Sequence, residues 1–179
     1  MNKIILLVAL CHSILSLDAQ KNLLDYVDIV MNSASEAVEE AKIPFESFSE
    51  AALNSNPDEF KNEVQEAIPH FQEALRLTQT AIDNIDAPKR HAASYKCDSS
   101  GSLYDEAKKS FQAAIVEYRE CMDFCNKAIS TNIQDESQFF VDGLEEILDG
   151  NRIMAAGIDE FADAFEVHVA CLNELDQKD

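Results

Sequence analysis

Cysteines are the first groups in this chain that could do chemistry, and two of them stand close together. Cys121 and Cys125 are four residues apart, which is not the Cys-x-x-Cys spacing of redox sites or zinc knuckles. On a helix, residues four apart have Cβ atoms about 5 to 6 Å from each other, whereas a disulfide needs about 3.5 to 4.5 Å. Joining the two would distort a helix, so their pairing stays open.

Histidines and carboxylates are the other candidates, and their spacing does not form a metal site. Glu66 precedes His70 by four residues and Glu166 precedes His168 by two, whereas carboxylate-bridged di-iron bundles use Glu-x-x-His pairs. His91 stands apart from both. The serines form no nucleophile motif. We therefore predict no metal, no cofactor and no enzymatic activity.

The start of the chain has the pattern of a secretory signal. Lys3 is followed by the apolar run 4–17, and Ala19 precedes a plausible cleavage point. Residues 1–19 are thus predicted to be a signal peptide, and residues 20–179 a single domain. Removing the signal discards Cys11 and leaves four cysteines, which suits an extracellular protein with a disulfide.

Composition predicts an all-α protein with a strongly acidic surface. The 179 residues include only four Gly, four Pro and no Trp, and the formal net charge is −20. Such a charge repels nucleic acid and anionic membranes, so neither is expected as a partner. After the signal, no apolar run approaches the roughly 20 residues that a membrane span needs.

Apolar periodicity predicts four helices. A stripe from Leu23 to Ala41 marks the first helix, which we expect to end at Pro44. A short helix containing Phe45 and Phe48 should follow. The second helix begins at Asn56-Pro57, where Asn can cap and Pro suits the first helical position, and closes at Ala87-Pro88.

A long polar connection, residues 88–102, is expected next. The third helix should open at Ser102, and a loop over 131–134 should lead to the fourth. The predicted fold is an antiparallel four-helix bundle with one additional short helix between its first two helices.

The last predicted helix carries small residues at a spacing of seven. These are Gly143, Gly150, Gly157 and Ala164, called here the glycine column. Because Gly inside a helix costs about 1 kcal/mol relative to Ala, the column indicates that another backbone or bulky group packs close to it. We favour a helix contact inside the bundle; the alternative is a docking groove for a partner helix or ligand. Asp149-Gly150-Asn151 is also a turn signal, although the unbroken register favours one long helix.

The preferred disulfide follows from the hairpin of the third and fourth helices. Cys97 lies about as far before the connecting loop as Cys171 lies beyond it, so the two should meet at one end of the bundle. A break at Gly150 would instead bring Cys171 level with Cys125. The long connection also carries Lys89, Arg90 and Lys96, which form either a contact site for an acidic partner or a solvated loop.

The cysteine content and the run Leu103-Tyr104-Asp105-Glu106-Ala107 resemble the plant invertase and pectin methylesterase inhibitor family. The resemblance implies a disulfide-stapled four-helix bundle that inhibits an extracellular enzyme. It also implies a second cysteine pair made by Cys121 or Cys125 with Cys171. The family's first cysteine pair has no counterpart here, because residues 20–96 contain no cysteine.

Taken together, the sequence predicts a secreted, non-catalytic interaction protein that recognises an extracellular protein partner, with enzyme inhibition as one form. The alternative is a carrier of a small apolar ligand. The carrier alternative is suggested by phenylalanines that either line a cavity or pack the core: Phe60, Phe71, Phe111, Phe139, Phe140, Phe161 and Phe165.

Overall fold

The computed structural model describes residues 17–54, 57–130 and 136–177, which form four helices. They are α1 (Leu17–Asn54), α2 (Pro57–Ser94), α3 (Asp98–Ser130) and α4 (Glu136–Asp176). Each helix packs on the next and α1 also packs on α4, whereas α2 and α4 lie diagonally and touch only locally. The predicted antiparallel four-helix bundle is thus confirmed. Most of the predicted signal, the cap at Asn56 and the loop 131–134 lie outside the described residues.

The apolar stripes face the interior, as their periodicity predicted. The α4 column of Ile147, Met154 and Phe161 is fully buried. The interior divides into a larger cluster toward the α2–α3 turn, which includes Cys97 and Phe161, and a smaller one toward the other end. The smaller cluster is made of Phe48, Val64, Ala67, Phe71, Cys121, Cys125, Ala128, Phe139 and Ile147.

The predicted end of the first helix at Pro44 is wrong, and so is the separate short helix after it. α1 continues through Pro44 to Asn54. An internal proline removes one backbone hydrogen bond and costs about 3 kcal/mol. The continued helix places Phe48 in the smaller cluster, where it is 1% exposed, and burying such a side chain contributes about 1.5 to 3 kcal/mol. Tertiary packing therefore offsets the helix-breaking effect of the proline.

The long connection predicted over residues 88–102 is also wrong. α2 continues through Pro88 to Ser94, and α3 opens at Asp98 rather than at Ser102. Ala92, which the prediction placed in the loop, is completely buried in the larger cluster, and this burial favours continuing the helix.

The turn between α2 and α3 consists of three residues and has a defined cap. The Cys97 amide donates to the Ala92 carbonyl at 2.9 Å, and the Lys96 amide donates to the Ala93 carbonyl at 3.1 Å. Lys96 has a φ of 61°, so the pattern is a Schellman cap with lysine in the left-handed position that usually holds glycine. This tight turn fixes the position of Cys97.

Candidate functional site

The preferred disulfide is confirmed: Cys97 is bonded to Cys171, with Cα atoms 5.9 Å apart. It ties the α2–α3 turn to the last turns of α4. α4 is continuous through Gly150, so the fold-back that would have paired Cys171 with Cys125 does not occur. The pairing of Cys171 with Cys121 or Cys125, which the family resemblance implied, is not formed.

Cys121 and Cys125 are free thiols buried in the smaller cluster. Burial raises the pKa of the Cys125 thiol to about 12. The pKa of Cys121 is also strongly raised, first by burial and then by the proximity of Cys125. Because the thiolate is the reactive form, both thiols are poor nucleophiles in the folded protein.

The glycine column faces the aromatic side chains of α3, not solvent. A Cβ added at Gly157 would lie 2.7 Å from two ring atoms of Phe111, and one at Gly150 would lie 2.9 Å from a ring atom of Tyr118. Gly143 meets Phe124 in the same way, and all three glycines are buried, as is Ala164. The column is therefore a close contact within the bundle, and the docking-groove interpretation is wrong.

Two histidines and a tyrosine meet in the interior just below the disulfide. His91 of α2 and His168 of α4 share a hydrogen bond of 3.1 Å between Nδ1 and Nε2. His168 Nδ1 is 3.1 Å from the hydroxyl of Tyr104 in α3. His168 is 0% exposed, and Tyr104 is buried beside it. We call these three residues the His–Tyr chain.

Electrostatics in the His–Tyr chain favour neutral imidazoles. Burial, and secondarily the neighbouring His91, lowers the pKa of His168 to about 4. Burial also lowers the pKa of His91. Because His168 has no exposed surface and both of its nitrogens contact protein groups, its imidazole links α4 to α2 and α3.

Sequence reasoning missed the His–Tyr chain, because it placed His91 in a loop and treated the histidines as scattered. One signal was available. His168 continues the buried seven-residue column of α4, and a polar residue on a buried stripe needs hydrogen-bond partners from the facing helices.

The three basic residues of the predicted loop lie in the last turns of α2 and in the turn that follows it. Lys89 lies within α2 and pairs with Asp105 of α3. Lys96 is the capping residue of the α2–α3 turn. Arg90 is exposed on α2. Only Arg90 and Lys96 are therefore fully presented to solvent, and the charge of Lys89 is partly neutralised.

Carboxylates converge on the surface where α3 meets α4. Glu117, Glu120 and Glu146 each place an oxygen within 4.8 Å of the others. Burial raises the pKa of Glu117, and repulsion from Glu120, Glu146 and Asp149 raises it further. We call these four residues the acidic face. Exposed acidic groups are common without a metal ion, and this arrangement alone assigns none.

The aromatic residues that could have lined a ligand cavity contribute to the packed core. Phe71, Phe111, Phe161 and Phe165 are at most 2% exposed and belong to the two interior clusters, and Phe139 is 7% exposed. The side chains of Phe60 and Phe140 lie outside the described ones. Packing therefore accounts for the aromatic residues whose surroundings are described.

Comparison with protein-family models, with curated proteins and with solved structures gives no match. Among the described residues, no helix combines the length and apolar character that a membrane span requires.

Proposed function

We propose that this is a secreted, non-catalytic interaction protein whose acidic surface recognises a basic extracellular protein, with inhibition of an extracellular enzyme as one form of that recognition. The observation that carries the proposal is the acidic face. Its carboxylates come from two helices, and the pKa of Glu117 is raised first by burial and then by repulsion from the neighbouring carboxylates. A cationic partner would relieve that repulsion on binding, which makes the face electrostatically complementary to a basic surface.

The rest of the charge distribution supports the same kind of partner. α4 carries eleven Asp and Glu residues against the single Arg152, so it contributes about half of the formal net charge of −20. His168 and the thiols of Cys121 and Cys125 lie inside the bundle, and the partly exposed His70 is bonded to Glu40. Recognition through the surface is what the exposed residues offer, and long-range attraction would speed the encounter with a basic partner.

The test begins with protein recovered from its own source and examined by native mass spectrometry for a co-purifying partner. Binding of that partner is then measured for a variant with Glu117→Gln, Glu120→Gln and Glu146→Gln. A matched control carries Asp163→Asn, Glu166→Gln and Glu174→Gln, three exposed changes on α4. Asp163 is 14 residues beyond Asp149, or about 20 Å along the helix axis.

We expect a basic protein whose affinity falls about tenfold in the first variant, changes less in the control and weakens with added salt. Equal effects of the two variants would contradict a role for the acidic face. A co-purifying apolar small molecule in place of a protein would instead favour the carrier function.

A further inference from the structure

The His–Tyr chain connects three helices at one level of the bundle. His168 projects from α4, His91 from α2 and Tyr104 from α3, and each contact of His168 with the other two is 3.1 Å long. The contact between His91 and His168 crosses the bundle diagonal, where α2 and α4 otherwise touch only locally. The Cys97–Cys171 disulfide lies directly above it, since Cys171 follows His168 by three residues.

Within the part of the chain that the structure describes, the His–Tyr chain has no hydrogen-bond acceptor to spare for an additional proton. A hydrogen bond between two neutral imidazoles uses one N–H as donor and one bare nitrogen as acceptor. The second ring nitrogen of His91, Nε2, is buried and has no hydrogen-bond partner among the described residues. An additional proton therefore creates a cation in the interior, and protonating both rings places two cations with ring centroids 5.1 Å apart.

Among the side chains that the structure describes, none supplies a negative charge to His168. The described titratable groups that contact it are His91 from α2 and Tyr104 from α3, and its own helix contributes the ring of Phe165. On α1, the side chains buried in this cluster include the apolar Leu23 and Val27, whereas Asp25 and Asp28 are exposed. Lys89 of α2 and Asp105 of α3 pair with each other, so the charge of Asp105 already has a partner.

We propose that the His–Tyr chain is an acid-sensitive contact. While His91 and His168 are neutral, it holds α2, α3 and α4 together at the disulfide end; when acid protonates them, that end opens locally. The Cys97–Cys171 disulfide keeps the α2–α3 turn bonded to the end of α4 during opening, so the change is reversible on return to neutral pH. For an exported protein, this would couple the conformation of one end of the bundle to the acidity of its compartment.

The direction of the pH effect follows from the histidine environments. In the closed form the pKa of His168 is about 4, whereas an exposed histidine has a pKa near 6.5. The open form therefore binds the proton more tightly, and opening is favoured progressively as the pH falls from about 6.5 toward 4.

Peptide-resolved hydrogen–deuterium exchange on the purified, disulfide-bonded protein tests the proposal. Exchange is measured at pH 7.5, 6.0 and 4.5 and expressed as protection relative to the intrinsic rate at each pH. We expect protection of peptides from 88–107 and 161–174 to fall by about tenfold or more at pH 4.5. Peptides from 61–75 and 141–150, at the other end, should change much less. A uniform loss at both ends would overturn the proposal.

Two variants distinguish the effect of protonating the His–Tyr chain from other effects of acid on the protein. His168→Gln retains hydrogen-bonding groups but does not titrate, and it should reduce the pH-dependent loss of protection several-fold, leaving the contribution of His91. The control is His70→Gln, because His70 is partly exposed and bonds Glu40 at 2.8 Å on the other half of the bundle. It should behave like the wild type. A wild-type response in His168→Gln would overturn the proposal.

A measurement on the unmodified protein covers the case in which His168→Gln does not fold. The Cε1 proton resonance of His168, followed by NMR, should begin to titrate only at the pH where local protection is lost. Titration of His168 near pH 6.5 while the disulfide end stays protected would show that the charged ring is tolerated, and the proposal would be wrong.

Discussion

Replacing Gly157 with alanine should destabilise the protein, although alanine is the better helix former. The added Cβ would lie 2.7 Å from Cδ1 and Cε1 of Phe111 and 3.1 Å from the Ser110 Cβ, whereas carbon atoms pack best at about 3.5 to 4.0 Å. Phe111 is fully buried, and the Ser110 hydroxyl donates to Glu160 at 2.6 Å, so neither neighbour moves freely. α3 and α4 must then separate or their side chains must leave preferred rotamers.

The magnitude follows from two opposing effects. Overpacking a well-packed interior typically costs about 1 to 3 kcal/mol, and replacing Gly by Ala in a helix returns about 1 kcal/mol. The difference is a net loss of up to about 2 kcal/mol. Because the added Cβ would approach two Phe111 ring atoms to 2.7 Å, we expect Gly157→Ala to lie in the upper half of this range, at about 1 to 2 kcal/mol. For a domain of this size, that lowers the melting temperature by about 2 to 8 °C. Gly157→Leu should be more destabilising.

The chain supplies its own control at Gly101 in α3, where an added Cβ would meet no heavy atom within 4 Å. Gly101→Ala should stabilise the protein by about 0.5 to 1 kcal/mol through helix propensity alone. Gly143→Ala, whose closest contact would be 3.1 Å to Phe124, should fall between the two. Urea unfolding followed by circular dichroism measures all three. If Gly157→Ala is as stable as Gly101→Ala, the close-contact reasoning is refuted.

Three further predictions concern the disulfide end. Cys97→Ser should lower the free energy of unfolding by about 4 kcal/mol, because the bond closes a loop with a sequence separation of 74; an unchanged urea midpoint would contradict this. Lys96→Gly should raise stability by up to about 1 kcal/mol, since φ is 61° there and glycine adopts this conformation without strain; a loss of stability would show that the lysine side chain contributes more than the cap. The wild-type free energy of unfolding should fall relative to that of His168→Gln by up to about 3 kcal/mol between pH 6.5 and 4, since the unfolded state binds the proton first; parallel pH profiles in urea would exclude this linkage.

The sequence predicted the features of the fold that depend on periodicity. The buried stripe of α1, the continuity of α4 through Gly150 and the meeting of Cys97 with Cys171 all follow from the positions of residues along antiparallel helices. The helix boundaries at Pro44 and Pro88 were wrong, because the local cost of a proline is visible in the sequence whereas the packing that offsets it is not. Local propensity therefore predicted fewer helical residues than tertiary packing produces.

The candidate site was less predictable than the fold. His91 and His168 are 77 residues apart and become neighbours only because α2 extends past Pro88. An error in one helix boundary therefore concealed the site. The acidic face could be anticipated only as a general excess of charge, since the approach of Glu117 to Glu146 depends on how α3 and α4 are rotated against each other.

The order of the cysteines along the chain has a consequence for biosynthesis. Cys97 emerges from the ribosome before Cys121 and Cys125, and its partner Cys171 follows all three. The two intervening thiols become buried only when Phe139 and Ile147 of α4 complete the smaller cluster. Until then, an oxidant can join Cys97 to the wrong cysteine, and correction requires attack by a thiolate on that bond. The native bond therefore forms either because folding precedes oxidation or because a wrong bond is exchanged, and after folding the burial of the two free thiols protects the native bond from exchange.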